Sequence, residues 1–459
     1  MVFSSLSFLF MFLPLALMLN YFSPKPIRNL ILTILSLFFY SMGEGTYFAV
    51  MVLSIIINYF FGLLIGNYQS RRIFLFVGIL INLLILFYFK YLSFIVGELT
   101  HVFSFTIVQD SFYKNIYLPL GISFFTFHSL SYLIDTYRKL NKPFRNFIDL
   151  SLYISFFPQL IAGPIVRFHE ISDQIKNRTI TIDGFSYGVE RFIIGLGKKV
   201  IIANTLAVPV DQIFALPENE LTTTLAWTAT ILYSLQIFYD FSGYSDMAIG
   251  LARMFGFRFP ENFNYPYSST SFKEFWSKWH ITLSKWFKDY LYIPLGGNKM
   301  GGVITIRNLF IVFILCGIWH GASWNFLLWG LYHGIFLSLE RISIFKRILN
   351  FNKPLSHFYF LFFITLSWVL FRANNIEHAI DIYKTLFDFN FTDFNLLSYY
   401  LDNYIIFCSI LGIIFIFPHT SIFNKIHRPI FFIYLYVIFF LSVMLLSVDT
   451  YNPFIYFRF

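Results

Sequence analysis

The sequence predicts an all-α polytopic membrane protein of about eleven to thirteen membrane helices, with one re-entrant segment and one interfacial amphipathic helix. Three observations carry that prediction. The 459-residue chain is 57% hydrophobic and only 12% charged, with a mean hydropathy of +0.67, far outside the range of soluble domains. Apolar stretches long enough to cross about 30 Å of hydrocarbon recur along the whole chain. The Lys and Arg residues fall in short loops between those stretches, the distribution that the positive-inside rule describes.

The apolar stretches begin near residues 4, 28, 47, 73, 116, 185, 222, 303, 322, 357, 401 and 429, giving about twelve spans. The first, MVFSSLSFLFMFLPLALMLNYF, has no basic n-region and no A-x-A-like cleavage site, and reads as a retained helix rather than a removed signal peptide. Residues 148–164 are apolar but interrupted by Pro158, Gly163 and Pro164. Their flanks are basic on both sides, with Arg138, Lys139, Lys142 and Arg145 before and Arg167, Lys176 and Arg178 after. A re-entrant or broken helix with both ends on the cytoplasmic side accounts for that pattern. The remaining loops then alternate: Lys25 and Arg28, Arg71 and Arg72, and residues 138–146, 253–299, 341–353 and Lys425 with Arg428 fall on the cytoplasmic side. Glu44, the acidic loop 211–220 and both termini fall on the other. No fixed-period repeat and no Gly/Ser-rich or charged linker divides the chain, so residues 1–459 read as a single membrane domain.

Phe and Tyr are more abundant than interfacial belts need, 64 and 30 residues respectively, so aromatic rings must form much of the helix packing; an AT-rich coding sequence is a second cause. The net charge of +9 does not indicate nucleic acid, because the basic residues form no single basic domain. Cys316 and Cys408 both lie in apolar runs, which excludes a disulfide framework and a thiolate metal cage. No metal site is expected.

Residues 271–297, SFKEFWSKWHITLSKWFKDYLYIPLGG, differ from their neighbours. Trp276, Trp279, His280, Leu283, Trp286 and Phe287 share one helical face and Lys278, Lys285 and Lys288 the other, predicting a basic amphipathic helix in the cytoplasmic interface. Anchoring is the plain function of the tryptophans and lysines. His280 interrupts the aromatic face, where a polar ring needs a partner. The next stretch is CGIWHGASWNF, residues 316–326. Gly317 and Gly321 bracket Trp319 and His320, so the helix starting near Val303 should end or bend here and another start after Gly321. His320 would then lie near a helix N-terminus, whose dipole favours the neutral imidazole of a general base. A core histidine bonded to a carbonyl is the duller alternative; Asn325, His333 and Trp324 nearby add weight to function. Cys316, one turn before His320, reads as a small buried hydrophobe rather than a nucleophile.

Residues 236–257, QIFYDFSGYSDMAIGLARMFGF, place Gln236, Asp240, Ser242, Ser245 and Asp246 in an otherwise apolar helix, the pattern of a polar cavity lining; interhelical hydrogen bonds explain Ser242 and Ser245 as well. His128 and His333 are weaker candidates, and His169, His357, His378, His419 and His427 sit at span ends or in loops. The chain has no Walker A loop, dinucleotide fingerprint, H-E-x-x-H or G-x-S-x-G. A hydrolase-type serine must therefore come from another protein.

Six blocks now carry a resemblance: GISFFTFHSLSYLIDTYR (121–138), FPQLIAGPIVRF (157–168), YDFSGYSDMAIGLARMFGF (239–257), NFNYPYSSTSFKEFWSKWHITLSKWFKDYLYIPLGG (262–297), GIWHGASWNFLLWGLYHG (317–334) and PFIYFRF (453–459). Together they resemble the membrane-bound O-acyltransferase family, in its bacterial branch that O-acetylates cell-surface polysaccharides such as alginate and peptidoglycan, with a core over roughly residues 115–345. The resemblance implies a ring of tilted helices around a thinned centre, with a tunnel admitting the acyl donor from the cytoplasm. It implies that His320 is catalytic and His280 a second functional position. His128 stands where the block is associated with glutamine, which weakens any role carried to it.

The expected activity is transfer of acetyl from cytoplasmic acetyl-CoA across a bacterial cytoplasmic (inner) membrane to a glycan hydroxyl, most simply of peptidoglycan. His320 would act as general base or transient acetyl acceptor. Gln236, Asp240, Asp246, Trp319, Trp324 and Asn325 would line the tunnel, and Lys278, Lys285 and Lys288 would attract the donor's phosphates. Acetyl-CoA is expected as donor substrate with no bound cofactor, an extracytoplasmic SGNH-type protein as partner, membrane lipid as surroundings, and no nucleic acid. A transporter for a lipid-linked sugar, with His320 and Asp246 as a proton relay, is the rival; it predicts an inverted repeat, and none is visible.

Overall fold

The computed structural model describes residues 2–103, 116–343, 345, 347, 352–391, 394–418, 427–448 and 451–455. His419, Lys425 and residues 456–459 of the terminal block lie outside them. The described residues are helical without strands, as lipid requires of a chain that must satisfy its backbone within each segment. They fall into two compact units, residues 1–192 with 247–260, and residues 193–246 with 261–459.

The first unit contains α1 (Leu13–Phe22), α2 (Arg28–Glu44), α3 (Phe48–Asn67), α4 (Arg71–Leu86), α5 (Leu92–Phe103), α6 (Ile122–Tyr137), α7 (Phe147–Ser155), α8 (Phe157–Leu160) and α9 (Phe168–Asn177). Phe8, Phe12, Phe39 and Phe157 pack ring against ring at its centre, with centroids 5.3–6.3 Å apart. That is where part of the aromatic excess goes. The amides of Asn58 and Asn82 pair reciprocally at 3.0 Å between α3 and α4, the way a buried carboxamide avoids an unmet hydrogen bond. The interruption expected in residues 148–164 is present: α7 ends at Phe156, whose ψ of 112° turns the chain before α8 begins with Pro158 in its first turn. His128 is fully buried on α6 beside Tyr153, with neither ring nitrogen hydrogen-bonded.

α10 (Ile182–Gly197) continues through a π-helical stretch, Lys198–Asn204, into α11 (Thr205–Phe214). The second unit then contains most of α12 (Thr223–Met254), followed by α13 (Phe272–Lys278), α14 (Ile281–Phe287), α15 (Gly302–His320), α16 (Trp324–Leu339), α17 (Lys353–Arg372), α18 (Ile376–Leu386), α19 (Leu397–Tyr400), α20 (Asn403–Phe415) and α21 (Arg428–Val448). α15 and α16 form an antiparallel hairpin whose closeness glycine permits. A Cβ on Gly317 would lie 2.2 Å from the Phe326 carbonyl oxygen, and one on Gly330 2.2 Å from that of Phe313.

Six helical runs among the described residues are long and apolar enough to span, or seven if the α19–α20 pair, bent by 95°, is one span; the longest run, Lys25–Asn67, holds both α2 and α3. α6 and α16 have 16 residues each, about 24 Å at 1.5 Å per residue, short of about 30 Å of hydrocarbon. The 32-residue α12 is long enough, but polar side chains interrupt its apolar run. One expectation needs correction: residues 271–297 do not form one amphipathic helix. α13 stops at Trp279 and α14 starts after His280, whose φ of 42° and ψ of 52° are left-handed.

Candidate active site

The break between α13 and α14 is held by chain contacts on both sides of His280. The Asn264 N–H donates to the Lys278 carbonyl and the Ile281 N–H to the Asn262 carbonyl, each at 2.9 Å. A left-handed non-glycine residue is sparsely populated and persists only where its surroundings hold it. The His280 ring is 1% exposed, with the Phe241 ring edge-on at 4.6 Å and the Trp319 ring at 6.1 Å. Its Nδ1 lies 3.1 Å from Asn262 Oδ1, and its Nε2 has no hydrogen-bond partner.

His320 is the last residue of α15, and Gly321 ends the helix in extended backbone. The expectation of a helix N-terminus is therefore corrected: the residue sits at a C-terminus, where the dipole favours a cation rather than neutral imidazole. Four rings surround it, Trp319 and Trp329 at 5.0 Å, Phe371 at 5.1 Å and Phe326 at 6.4 Å. Trp319 thus neighbours both histidine rings.

His333 extends the cluster. It is fully buried on α16, 4.6 Å from Trp329, and its Nδ1 accepts the Trp276 indole N–H at 3.2 Å. An indole only donates, so in neutral His333 the proton is on Nε2. Trp276, expected as a lipid anchor, is a buried hydrogen-bond donor instead. Glu340 fixes α13 from the end of α16, accepting the N–H groups of Phe272 at 2.7 Å and Lys273 at 3.0 Å. Burial raises the pKa of its carboxyl, against the two amides and the Lys273 charge.

The polar residues of α12 divide. Asp240 pairs with Lys199 at 2.6 Å, both side chains 2% exposed, and Asp246 with Lys198 at 2.6 Å. These consecutive lysines start the π-helical stretch, and neither was anticipated from sequence. Asp240 also accepts the Ile455 N–H at 2.9 Å, while Lys199 bonds the Pro453 carbonyl. Both carboxylates are thus ion-paired. Gln236 does line a cavity of about 30 Å³, with Tyr233, Phe371, Arg372 and residues 453–455, room for about one or two waters. Its Oε1 has no hydrogen-bond partner. Arg372, also missed in the sequence, pairs with Asp211 at 2.5 Å.

Among the other candidates, Asn325 donates to the Ala373 carbonyl at 2.9 Å and Trp324 is 47% exposed. Lys278 is bound to Glu274 at 2.8 Å and to Ser268 at 3.1 Å, whereas Lys285 and Lys288 are exposed. Cys316 and Cys408 are both buried and form no disulfide.

With this geometry in place, the comparisons assign the class. The model of the membrane-bound O-acyltransferase family matches residues 34–378; the chain belongs to that family, and it is an O-acyltransferase. It is 44% identical over 393 residues to a probable alginate O-acetylase of Azotobacter vinelandii, covering 85% of this chain and 78% of that protein. It is 38% identical over 430 residues to a peptidoglycan O-acetyltransferase of Helicobacter pylori, covering 85% and 80%. A teichoic acid D-alanyltransferase of Bacillus subtilis is more distant, at 30% identity over 237 residues, 49% of this chain and 59% of that protein.

Proposed function

We propose that this protein takes acetyl from acetyl-CoA at the cytoplasmic face of a bacterial inner membrane and delivers it for O-acetylation of a cell-surface glycan. The observation that carries the proposal is the burial of His280 and His320 beside the same indole, Trp319, in the two histidine blocks that resemble the family's functional ones. In the proposed step a hydroxyl attacks the thioester carbonyl as its proton passes to His320. The tetrahedral intermediate expels the CoA thiolate, which takes up the proton, leaving an acetyl ester and free CoA thiol. A water-poor aromatic cluster suits this, because it strengthens each polar interaction with the reacting atoms and excludes hydrolysis. Exposed Lys285 and Lys288 are positioned by sequence to attract the donor's phosphates; Lys278 is already committed to Glu274.

The absence of a G-x-S-x-G serine fits a relay in which an extracytoplasmic SGNH-type partner completes transfer to the glycan. Peptidoglycan is the proposed acceptor, in keeping with the Helicobacter relative. The higher identity to the Azotobacter protein favours a second acceptor, an alginate-like exopolysaccharide. Mass spectrometry of cell-wall and secreted glycans from a deletion strain separates the two. Restoring the gene should restore the acetyl esters and His320→Ala should not, with the variant inserted at normal levels; acetylation retained by His320→Ala would refute the mechanism.

A further inference from the structure

We infer that Asn262 is a positioning residue that sets the tautomer of His280, holding the proton on Nδ1 so that Nε2 presents its lone pair inside the cluster. The consequence for catalysis rests on the acyl-transfer reading above, but the tautomer stands on geometry alone. Four contacts define the Asn262 carboxamide, which is fully buried. Its Oδ1 faces the Thr282 N–H at 3.3 Å, the Thr282 hydroxyl at 2.8 Å and His280 Nδ1 at 3.1 Å, and its Nδ2 donates to Ser245 Oγ at 3.0 Å.

The orientation of the amide follows from the Thr282 backbone. A peptide N–H can only donate, so the atom facing it must be the oxygen; the flipped amide would set donor against donor. In that orientation the nitrogen donates to Ser245 Oγ at 3.0 Å, a hydroxyl that can serve as donor or acceptor and is compatible with it. An amide oxygen cannot donate either, so the His280 nitrogen beside it carries the hydrogen. In neutral His280 the remaining nitrogen, Nε2, is then a bare acceptor, and it has no protein partner although the ring is 1% exposed. His333 has the reverse arrangement, Nδ1 accepting from Trp276 and Nε2 carrying the hydrogen. A buried acceptor without a donor is costly, and such a cost is retained where a substrate hydroxyl or a proton in transit supplies the partner.

Two measurements test this. Nitrogen-15 NMR of the full-length protein labelled at histidine, with His280 assigned by its loss in His280→Gln, should show Nδ1 protonated and Nε2 bare. Protonation on Nε2 would overturn the inference whatever the protein's activity. Acetyl transfer in proteoliposomes is then compared across a double-mutant cycle. Asn262→Ala should lower kcat about 10–100-fold, the scale seen for residues that orient a functional histidine, with little change in KM and no further loss in a His280→Ala background. The same loss in both backgrounds would show that Asn262 only supports the fold, and overturn its positioning role. If His280→Ala itself left transfer intact, the acyl-transfer reading of His280 would fail and Asn262's catalytic consequence with it, while the NMR result would still decide the tautomer.

Discussion

Two buried histidines at chain breaks, His280 and His320, carry the proposed chemistry, and each stands out in the sequence for the same reason. A polar ring inside an apolar, aromatic stretch costs free energy unless it has a partner or a task, and W-H pairs at 279–280 and 319–320 stand out against their surroundings. Cys316 tests whether a thiol shares that task. Cys316→Ala is expected to leave acetyl transfer unchanged in proteoliposomes, because the thiol is a buried packing group; loss of transfer comparable to that of His320→Ala would make it a nucleophile. What the sequence did not disclose is Asn262. It lies 18 residues before His280 in a segment with no helical period, and only the folding of 262–264 against 278–281 brings the two together. The side of the break on which His320 falls was misread because glycine marks a helix end without saying which helix owns its neighbour.

At the scale of elements, the α15–α16 hairpin sets where His320 sits. Gly317→Ala or Gly330→Ala would place a methyl 2.2 Å from a backbone carbonyl oxygen, which rigid helices relieve only by separating. Overpacking of this kind costs about 1–3 kcal/mol, so either variant should lower the thermal midpoint in detergent and reduce acetyl transfer together; an unchanged midpoint would show that the helices are not so closely packed. The α13–α14 break was hidden because Trp276, Trp279, Leu283 and Trp286 keep helical spacing straight through it. Periodicity reports which residues face the core, and it does so equally well when two short helices meet at a left-handed His280 that stays buried.

For the whole molecule, the hydropathy pattern shows the all-helical membrane architecture but does not by itself say which apolar runs form helices long enough to span. Nor did it show that residues 453–455 return to the second unit, since that depends on Lys199 and Asp240, widely separated in sequence, forming a buried pair. Removing one partner of such a pair typically costs about 3–5 kcal/mol by stranding the other charge. Lys199→Met should therefore unfold at a much lower temperature than the wild type, and Lys199→Met with Asp240→Leu should recover most of the difference; equal midpoints for all three would deny the pair any structural weight. Whether His320 catalyses acyl transfer inside the aromatic cluster is decided by purified protein in proteoliposomes given acetyl-labelled acetyl-CoA on the side bearing Lys285 and Lys288, with partner and glycan on the other. CoA release and label on the acceptor across the bilayer are expected with the wild type, and neither with His320→Ala at equal insertion. Equal label transfer by the two proteins would contradict that role.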